Sequence, residues 1–364
     1  MKIVIAAWHL RNLNVGLGRY THSLIEGLGR MDRENHYEIL IPGDSHSFKS
    51  WPNIRYRFFP FPVFKRRFWE QIAPLLIGRY DLIHFPYDSC LAIKRGKFVV
   101  TLHDVKPLLF PKPSKIFDWK RLLKKMVLPH PLRQIDHIVT VSECSRRDIM
   151  ERLEVSGDRI TVIYQGVDLE RFSPHVRFQV EEGSVTPYVL CVAGADPTKN
   201  VKNLIIAFSL LPAEIRERHH LVLVGDVGRQ GEIRQMVKQR EIEKQTVYTG
   251  VVSDERLASL YQQASVFVFL SLYEGFGLPV LEAMACGCPV ISSNTSSLPE
   301  VVGDAGILVD PLDISAIVRT MERVLNDTHL VKNLRMAGIA RAQKFSWDTT
   351  AKATVNLYDR VVNS

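Results

Sequence analysis

Short apolar runs alternate with stretches of helical length along the chain, and this alternation most constrains the fold. Strands that are separated by helices pair in parallel, because each helix returns the chain to the same edge of the sheet. The sequence therefore predicts an α/β protein. The runs that have the length of buried strands are Ile3–Ala7, Glu38–Ile41, Leu82–Phe85, Phe98–Leu102, His137–Val141, Tyr188–Val192, Leu221–Val224, Thr246–Thr249, Ser265–Leu270 and Val290–Ser292.

The chain is too long for one hydrophobic core, because single cores stop growing near ~250 to 300 residues. A polar break at residues 173–186 interrupts the alternation and predicts a linker. We therefore expect two doubly wound domains, at 1–172 and 187–345, and a C-terminal helix at 346–364. This helix could pack on either domain, so it could return to the first. In doubly wound sheets ligands bind beyond the carboxyl ends of the strands, so the deep cleft between the domains is the expected site.

Composition excludes several classes of protein. Hydrophobic residues make up 46% and charged residues 24% of the 364 residues, which is ordinary globular usage. No apolar run reaches the ~18 residues that span a bilayer, and the N-terminal run has no signal-peptide pattern. The five cysteines form no C-x-x-C pair. We expect reduced thiols and a cytoplasmic location.

Positive charge is concentrated in the first half of the chain. Residues 1–180 hold 29 Lys and Arg against 18 Asp and Glu, whereas residues 181–364 hold 18 against 21. The basic amphipathic segment Lys112–Arg133 and the cluster Lys65–Trp69 would suit an anionic membrane surface, and thus a peripheral position on its inner face. A solvated basic face over an ordinary core helix is the alternative. No nucleic-acid-binding module is present, so nucleic acid is not an expected partner.

A dense glycine-containing motif at 271–287 follows the predicted strand Ser265–Leu270. Gly275 and Gly277 allow a tight turn, Pro279 suits a first helical turn, and Gly287 suits a helix end. The motif therefore predicts a helix whose N-terminus lies at the edge of the sheet. Unpaired amides and partial positive charge at such an end fit a phosphate or diphosphate.

Two carboxylates, Glu274 and Glu282, flank the start of this helix. They could simply complement the helix dipole, but a glutamate within the glycine-containing loop is poorly explained by capping. With E-x7-E spacing inside E-G-F-G-L-P-V-L-E-A-M-A-C-G, the motif resembles the donor-site signature of retaining glycosyltransferases of family 4. That resemblance implies the GT-B fold, in which two Rossmann-like domains face an inter-domain cleft. It implies that the domain at 1–172 binds the acceptor and that the domain at 187–345 binds the nucleotide sugar. It also implies retention of anomeric configuration.

The resemblance extends over nearly the whole chain, from Val15-Gly-Leu-Gly-Arg-Tyr20 to Phe345-Ser-Trp347. It implies that Gly16 and Gly18 contact the donor phosphates, although Val15 replaces the first of two glycines that are common in the family. A dinucleotide fold is disfavoured, because Thr21 occupies the position of the third glycine in G-x-G-x-x-G.

The segment Asp196-Pro-Thr-Lys-Asn200 resembles the family's R-K-N motif. The resemblance implies that Lys199 binds the donor diphosphate and neutralises charge on the leaving nucleotide. Thr198 replaces the usual arginine. Lys202 could substitute for that cation or be a solvated helix residue.

His103 follows a strongly apolar strand, so we expect it at a carboxyl edge, and a structural histidine is the alternative. The resemblance implies that His103 contacts the transferred sugar, that Asp104 orients the loop, and that the backbone at Val252 reads the nucleobase. The remaining implied donor contacts are Gly275, Phe276, Gly277 and Leu278, with Glu274 on sugar hydroxyls and Glu282 on the ribose.

The expected reaction is transfer of a sugar from a nucleotide-diphosphate donor to a hydroxyl of a glycan or glycolipid, during polysaccharide, lipopolysaccharide or glycoconjugate synthesis. The segment from Thr101 to Pro111 is most similar to mannosyltransferases, which favours GDP-mannose over a UDP-sugar. No D-x-D motif occurs, so we expect neither metal nor cofactor. A GT-B epimerase and a catalytically silent sugar-nucleotide or lipid-binding protein are the alternatives.

Overall fold

A computed structural model of the chain describes residues 1–13, 16–43, 48–59, 66–89, 91, 93–110, 134–176, 186–194, 196–227 and 231–364. These residues form two compact units. The first unit contains Met1–Gly166 and Trp347–Ser364, and the second contains Val167–Ser346.

The chain passes between the units at Gly166 and Val167, ahead of the predicted linker at 173–186. The backbone explains the difference, because the Val167 amide donates to the Phe345 carbonyl at 3.0 Å and Val167 forms a parallel bridge with Ser346. Residues from Val167 onward are therefore tied to the second unit. Residues 177–185 of the predicted linker lie outside the described part of the chain.

Each unit contains one parallel sheet, as the alternation predicts. The first sheet has the order β3-β2-β1-β4-β5-β6-β7 and the second has the order β10-β9-β8-β11-β12-β13. The strands are β1 Lys2–Ala6, β2 His36–Pro42, β3 Ile54–Phe59, β4 Leu82–Phe85, β5 Lys97–Thr101, β6 His137–Thr140, β7 Ile160–Val162, β8 Tyr188–Val192, β9 His220–Val224, β10 Thr246–Gly250, β11 Val266–Phe269, β12 Val290–Ser293 and β13 Ile307–Val309.

Thirteen α-helices lie in the described part of the chain, most of them between consecutive strands. They are α1 Gly16–Met31, α2 Arg66–Ile72, α3 Lys106–Leu109, α4 Glu143–Leu153, α5 Val201–Ser209, α6 Ala213–Arg218, α7 Gly231–Gln239, α8 Asp254–Gln263, α9 Leu278–Ala285, α10 Leu298–Val302, α11 Ile314–Asn326, α12 Thr328–Ala342 and α13 Trp347–Asn363. None of them is both long and apolar enough to cross a bilayer.

The C-terminal helix α13 packs on α1 of the first unit. Gly27 on α1 permits this close approach, since a Cβ there would lie 2.9 Å from the Trp347 carbonyl oxygen. Farther along α13, the buried Tyr358 hydroxyl lies 2.6 Å from Nδ1 of His84 on β4. The helix thus completes the first unit and reaches the central strand β4 of its sheet.

Both sheets are doubly wound, and each has one point where the strand order reverses. In the first sheet the reversal lies between β1 and β4, and in the second it lies between β8 and β11. The loops that follow these strands diverge, which leaves a crevice at the carboxyl edge of the sheet. Both reversal points are therefore the natural places for ligands.

Candidate active site

In the second unit, the loops after β8 and β11 meet at the reversal point. The Thr198 carbonyl accepts from the Leu272 amide at 2.7 Å and from the Ser271 hydroxyl at 3.1 Å. A short 3-10 helix, Pro197–Lys199, follows β8 and begins with Asp196, whose carboxylate accepts from the Thr198 amide. Because this turn is capped and tied to the second loop, Lys199 is held at a fixed position.

Lys199 and Glu274 form an ion pair at this crevice. The Lys199 Nζ lies 2.6 Å from Glu274 Oε1 and 5.0 Å from the centre of the Phe269 ring. The side chains are 21% and 14% exposed, respectively, so both remain accessible to a ligand while being partly shielded from solvent. Sequence reasoning predicted both residues, and the structure brings them together.

Serine and threonine side chains fix the loop that carries Glu274. The Ser296 hydroxyl accepts from the Glu274 amide and donates to the Glu274 carbonyl, at 3.1 and 2.6 Å. Ser297 donates to the carbonyls of Glu274 and Phe276, and Ser293 donates to that of Ser271. Sequence reasoning missed these supports. The polar run Ser292-Ser-Asn-Thr-Ser-Ser297, which begins in the buried strand β12 and continues past its end, was the available signal.

Gly277 is the N-terminal cap of α9. Its backbone has φ +122°, and a Cβ would lie 2.8 Å from the Leu298 side chain, so only glycine fits without strain. The helix then begins at Leu278, with Pro279 in its first turn. Amides at the start of a helix have no carbonyl partner within it and carry partial positive charge. The turn at Gly277 therefore places an anion-binding helix end close in sequence to Glu274.

Glu282 lies on α9 and is buried, with 7% of its surface exposed. Its Oε2 accepts a hydrogen bond from the Tyr261 hydroxyl of α8 at 3.3 Å. Burial, together with the nearby carboxylate, raises the pKa of Tyr261 well above its usual value, so the phenol remains a donor. The predicted contact between Glu282 and the ribose stays a prediction.

Phe276 has a structural side chain. Its ring is 4% exposed and packs 5.9 Å from the Phe345 ring, so only its main chain is suited to contact a donor. Gly275 precedes it in a half-buried position. Packing against Phe345 thus explains why residue 276 is a phenylalanine.

Neither Thr198 nor Lys202 places a second cation beside Lys199. Thr198 is buried, and its hydroxyl donates to Asp196 Oδ1 at 2.8 Å. Lys202 lies on α5 and pairs with Glu232 of α7. At position 198, where the R-K-N pattern has a cationic side chain, Thr198 therefore forms a hydrogen bond within the loop and contributes no charge.

Val252 lies between β10 and α8 at the same edge of the second sheet, in a half-buried position. The next residue, Ser253, caps α8 by accepting from the Arg256 amide. Gly225 closes the adjoining end of β9, since its amide donates to the Gly250 carbonyl at 2.8 Å. The backbone at Val252 is therefore anchored, and its role toward a base remains a prediction.

In the first unit, His103 follows β5 at the carboxyl edge. Its Nε2 lies 3.2 Å from the Pro86 carbonyl oxygen, and its Nδ1 lies 3.3 Å from Nε2 of Gln165. Burial lowers the pKa of His103 to about 4. The ring is neutral at pH 7, with the proton on Nε2, because that nitrogen faces an acceptor and the Gln165 amide donates to Nδ1.

Contacts around His103 fix its position. The Tyr20 ring meets it edge-on with centres 4.5 Å apart, and the Ser145 hydroxyl donates to the His103 carbonyl at 3.0 Å. Asp104 accepts from the Lys106 amide at 2.9 Å and so shapes the start of α3. His103 is therefore a rigid neutral group, which suits contact with uncharged hydroxyls.

Gly16 and Gly18 on α1 have different reasons to be glycine. A Cβ at Gly18 would lie 2.1 Å from the Asn12 carbonyl oxygen and 2.8 Å from that of His9, so packing against backbone explains it. Among the described residues, a Cβ at Gly16 would meet no atom within 4 Å. Gly18 is therefore required by the fold of the unit, whereas the role of Gly16 toward a ligand stays a prediction.

The basic region is only partly described. Residues 112–133 and Lys65 lie outside the described residues. Arg66 ion-pairs with Glu70 and with Asp88, each at 3.1 Å, whereas Phe68 is 67% exposed.

Comparison with known proteins places these features in a family. Residues 15–171 match the family described as Glycosyltransferase Family 4, and residues 173–344 match Glycosyl transferases group 1. The chain is 33% identical to O-antigen chain mannosyltransferase B of Escherichia coli, over 98% of this chain and 99% of that protein. This chain belongs to glycosyltransferase family 4.

This glycosyltransferase is also 35% identical to the MMP alpha-(1->4)-mannosyltransferase of Mycolicibacterium hassiacum, over 63% of the chain and 55% of that protein. A solved structure of sucrose-phosphate synthase from Thermosynechococcus elongatus matches it with a TM-score of 0.76 and 24% identity, covering 99% of each chain. The fold is GT-B, with two Rossmann-like domains, as the sequence resemblance implied.

Proposed function

We propose that this glycosyltransferase transfers mannose from GDP-mannose to a hydroxyl of a glycan or glycolipid, with retention of configuration. The observation that carries the proposal is the ion pair of Lys199 and Glu274 where β8 and β11 diverge. Two relatives whose names differ in acceptor are both mannosyltransferases, which supports mannose as the donor sugar. A UDP-sugar is the alternative donor.

The donor's diphosphate is the group that this crevice suits best. An ammonium group has three N–H donors, so Lys199 can donate to Glu274 and to phosphate oxygens at once. The amides at Gly277 and Leu278 add a helix N-terminus. Together they stabilise the charge that develops on the departing nucleotide, which is the interaction that lowers the barrier.

The remaining donor contacts involve the transferred sugar, the ribose and the base. Glu274 accepts hydrogen bonds from sugar hydroxyls, and its serine-anchored backbone keeps the carboxylate in place. Glu282 accepts a hydrogen bond from a ribose hydroxyl, and the backbone at Val252 contacts the base. Neutral His103 hydrogen-bonds the transferred sugar and so positions it.

The chemical step is front-face displacement. The bond between the anomeric carbon and the diphosphate oxygen breaks, and the acceptor oxygen bonds to that carbon from the same face. The acceptor's proton passes to the leaving phosphate. Lys199 and the helix amides carry the charge stabilisation, so the step as proposed uses no metal ion.

A peripheral position on an anionic membrane is part of the proposal. Around α2 three apolar side chains, Phe68, Ile72 and Leu76, are exposed at 67%, 36% and 58%. The neighbouring Arg67 and Arg79 are exposed as well. Apolar side chains that enter the interface, beside cations that face anionic headgroups, are the features that hold proteins on such surfaces.

The test is a transfer assay with purified protein, a panel of GDP- and UDP-sugars and a manno-oligosaccharide acceptor. We expect product only or mainly with GDP-mannose, and an α-linked product by NMR, since the donor is α-linked. An inverted product would overturn retention. Isomerised donor without transfer would indicate an epimerase, and binding without any turnover would indicate a silent protein.

A further inference from the structure

Three buried residues of the C-terminal helix α13 reach the surroundings of His103. They are Trp347, Thr350 and Tyr358. Their positions fall close to whole helical turns from one another, so their side chains lie on one side of the helix. These three residues form the contact face of α13. The contact face belongs to the same unit as His103, although it is more than half of the chain away from it in sequence.

The first contact is made through aromatic rings. The Tyr20 ring on α1 contacts the Trp347 ring and the His103 ring, with centres 5.6 and 4.5 Å apart, respectively. Both pairs are steeply inclined, which is an arrangement that aromatic rings favour. Tyr20 is 1% exposed, and close packing keeps its ring in place. Trp347 therefore supports the ring that the His103 ring rests against.

The second contact is a hydrogen-bonded chain that runs from α13 into the sheet. The Tyr358 hydroxyl lies 2.6 Å from Nδ1 of His84, and Nε2 of His84 lies 2.8 Å from the Thr101 hydroxyl at the end of β5. Burial raises the pKa of Tyr20 to about 12, and the Thr101 hydroxyl opposes this rise. Because the Tyr20 hydroxyl has no full hydrogen bond within the described residues, this is a weaker polar contact. The chain thus ends beside Tyr20.

The protonation of His84 gives this chain a direction. Burial lowers the pKa of His84 to about 3, so the ring is neutral and has one N–H and one bare nitrogen. Tyr358 and Thr101 therefore take opposite roles toward it. In the described part of the chain the Tyr358 hydroxyl bonds only to His84, so it donates to Nδ1, and Nε2–H donates to Thr101. The Thr101 hydrogen then faces the Tyr20 oxygen, which agrees with its effect on the Tyr20 pKa.

The third contact reaches Nδ1 of His103. The Thr350 hydroxyl donates to the Tyr164 carbonyl at 2.8 Å. The next residue, Gln165, is buried, and its Nε2 lies 3.3 Å from Nδ1 of His103. Because Thr350 holds the backbone beside Gln165, the amide that donates to His103 starts from a fixed position. One helix thus supports both the ring and a ring nitrogen of His103.

We propose that the contact face of α13 positions His103 against the transferred sugar, acting through Tyr20 and Gln165. The inference rests on the proposed function, because it takes His103 as the sugar contact. The three residues of the contact face are positioning residues. A small displacement of a positioning group slows the chemical step strongly. Donor affinity is assigned to Lys199 and the start of α9, so loosening His103 lowers kcat while the donor KM stays nearly constant.

The first experiment removes the hydroxyl at the far end of the hydrogen-bonded chain. Tyr358→Phe keeps the ring and loses the bond to His84. Thr354→Val is the matched control, because Thr354 is a buried residue of the same helix whose hydroxyl donates within it, to the Thr350 carbonyl at 2.8 Å. With GDP-mannose and methyl α-mannobioside, we expect Tyr358→Phe to lower kcat about tenfold and to keep the donor KM within about twofold.

The control should stay within about twofold of wild type in kcat and in donor KM. Melting temperatures of both variants show that the protein is folded. An unchanged kcat in Tyr358→Phe would overturn the inference. Equal losses of kcat in Tyr358→Phe and Thr354→Val would also overturn it, because they would reflect general loosening of the helix.

A spectroscopic measurement separates this inference from the proposed function. Long-range proton–nitrogen NMR spectra report the protonation and surroundings of each histidine ring without donor or turnover, and His103→Gln identifies the His103 signals. We expect Tyr358→Phe to shift these signals and Thr354→Val to leave them in place. Thr350→Val, which loses the bond to the Tyr164 carbonyl, should shift them as well, and Thr350→Ser, which keeps a hydroxyl, should not.

The outcomes for the two proposals differ. Unchanged His103 signals in folded Tyr358→Phe and Thr350→Val would overturn the positioning role and leave the proposed function standing. Shifts of equal size in Thr354→Val would overturn it too. Shifts confined to Tyr358→Phe and Thr350→Val would support the positioning role even if the wild-type protein transferred no mannose from GDP-mannose, and that failure would count against the proposed function alone.

Discussion

The two units share a topology but differ in what they place at the point where the strand order reverses. In the second unit, the loops after β8 and β11 are joined by the Thr198 carbonyl and present the Lys199–Glu274 ion pair. In the first unit, the loops after β1 and β4 meet through the rings of His9 and Tyr87. One fold thus presents an ion pair at the reversal point of one sheet and, among the described residues, an aromatic contact at that of the other.

Because the two sheets share a topology, differences in ligand preference must come from the residues that follow the strands. A lysine with a helix N-terminus is matched to a diphosphate. A histidine whose pKa is lowered to about 4 carries no charge at neutral pH, so it suits hydroxyl groups. We therefore propose that the donor's diphosphate binds to the second unit, whereas His103 of the first unit contacts the hydroxyls of the transferred sugar.

The largest expected effect is on the charged crevice. Replacing Lys199 with Ala removes the cation that stabilises the leaving diphosphate, and we expect kcat to fall about 10²- to 10³-fold. Lys202→Ala is the matched control, because Lys202 pairs with Glu232, and it should stay within twofold. Steady-state kinetics measures both. Equal losses in the two variants would show that the charge at 199 has no special role.

The next effect separates packing from binding within α1. Gly18→Ala places a Cβ against backbone oxygens, and overpacking of this kind costs about 3 kcal/mol. Gly16→Ala adds a Cβ that meets no atom of the described residues within 4 Å, so it should change the free energy of unfolding by less than about 0.5 kcal/mol, while still weakening donor binding. Urea unfolding measures the stabilities. Unchanged donor binding in folded Gly16→Ala, measured by titration with GDP, would contradict its predicted ligand role.

A third test uses pH on the first unit. The folded-state pKa values of His84 and His103 are lowered to about 3 and about 4 by burial. Since unfolded histidines protonate near pH 6.5, stability falls as pH drops from there toward 4. Buried Glu70, with a pKa raised to about 7, opposes this loss, because its folded form binds a proton that the unfolded form releases above about pH 4.5.

Glu70→Gln removes that opposing contribution while preserving shape. We therefore expect the variant's melting temperature to fall more steeply than that of wild type between pH 6.5 and 4.5. Calorimetry across this range gives both slopes. Parallel curves would mean that Glu70 is ionised in the folded protein.

The smallest effect concerns the membrane. Phe68→Ser on the first unit should weaken binding to phosphatidylglycerol vesicles about fivefold, which corresponds to partial burial of one aromatic side chain. Met336→Ser on the second unit removes a side chain of similar exposure, 63% against 67%, and should have no effect. Vesicle sedimentation measures both, and equal behaviour would refute a docking role for α2.

Much of the fold could be predicted from hydrophobic runs, but three strands escaped. Strand β3 carries Arg55 and Arg57 on a partly exposed edge, so it has no apolar run. Strands β7 and β13 contain only three residues each. Short strands and strands at a sheet edge depend on pairing with a neighbouring strand, and their own sequence does not reveal that pairing.

The sequence predicted Lys199 and Glu274 as site residues because their chemistry suits a diphosphate and sugar hydroxyls. The structure pairs them, and their contact with a donor stays a prediction. Gly18 and Phe276 are present for packing reasons, which a motif cannot distinguish from ligand contact. The serines that anchor Glu274, such as Ser296, act through tertiary hydrogen bonds to a loop 22 residues away. Their polar run marks a possible role, but it does not reveal which loop they contact.

Hydrogen–deuterium exchange of the wild-type protein with and without GDP tests the division of roles most directly. The account predicts slower exchange on addition of GDP in segments 196–203 and 271–282, which carry Lys199, Glu274 and the start of α9. The segment 8–12 around Trp8 should not change. Protection confined to 8–12, or none at 196–203 and 271–282 at saturating GDP, would contradict the assignment of the donor to the second unit.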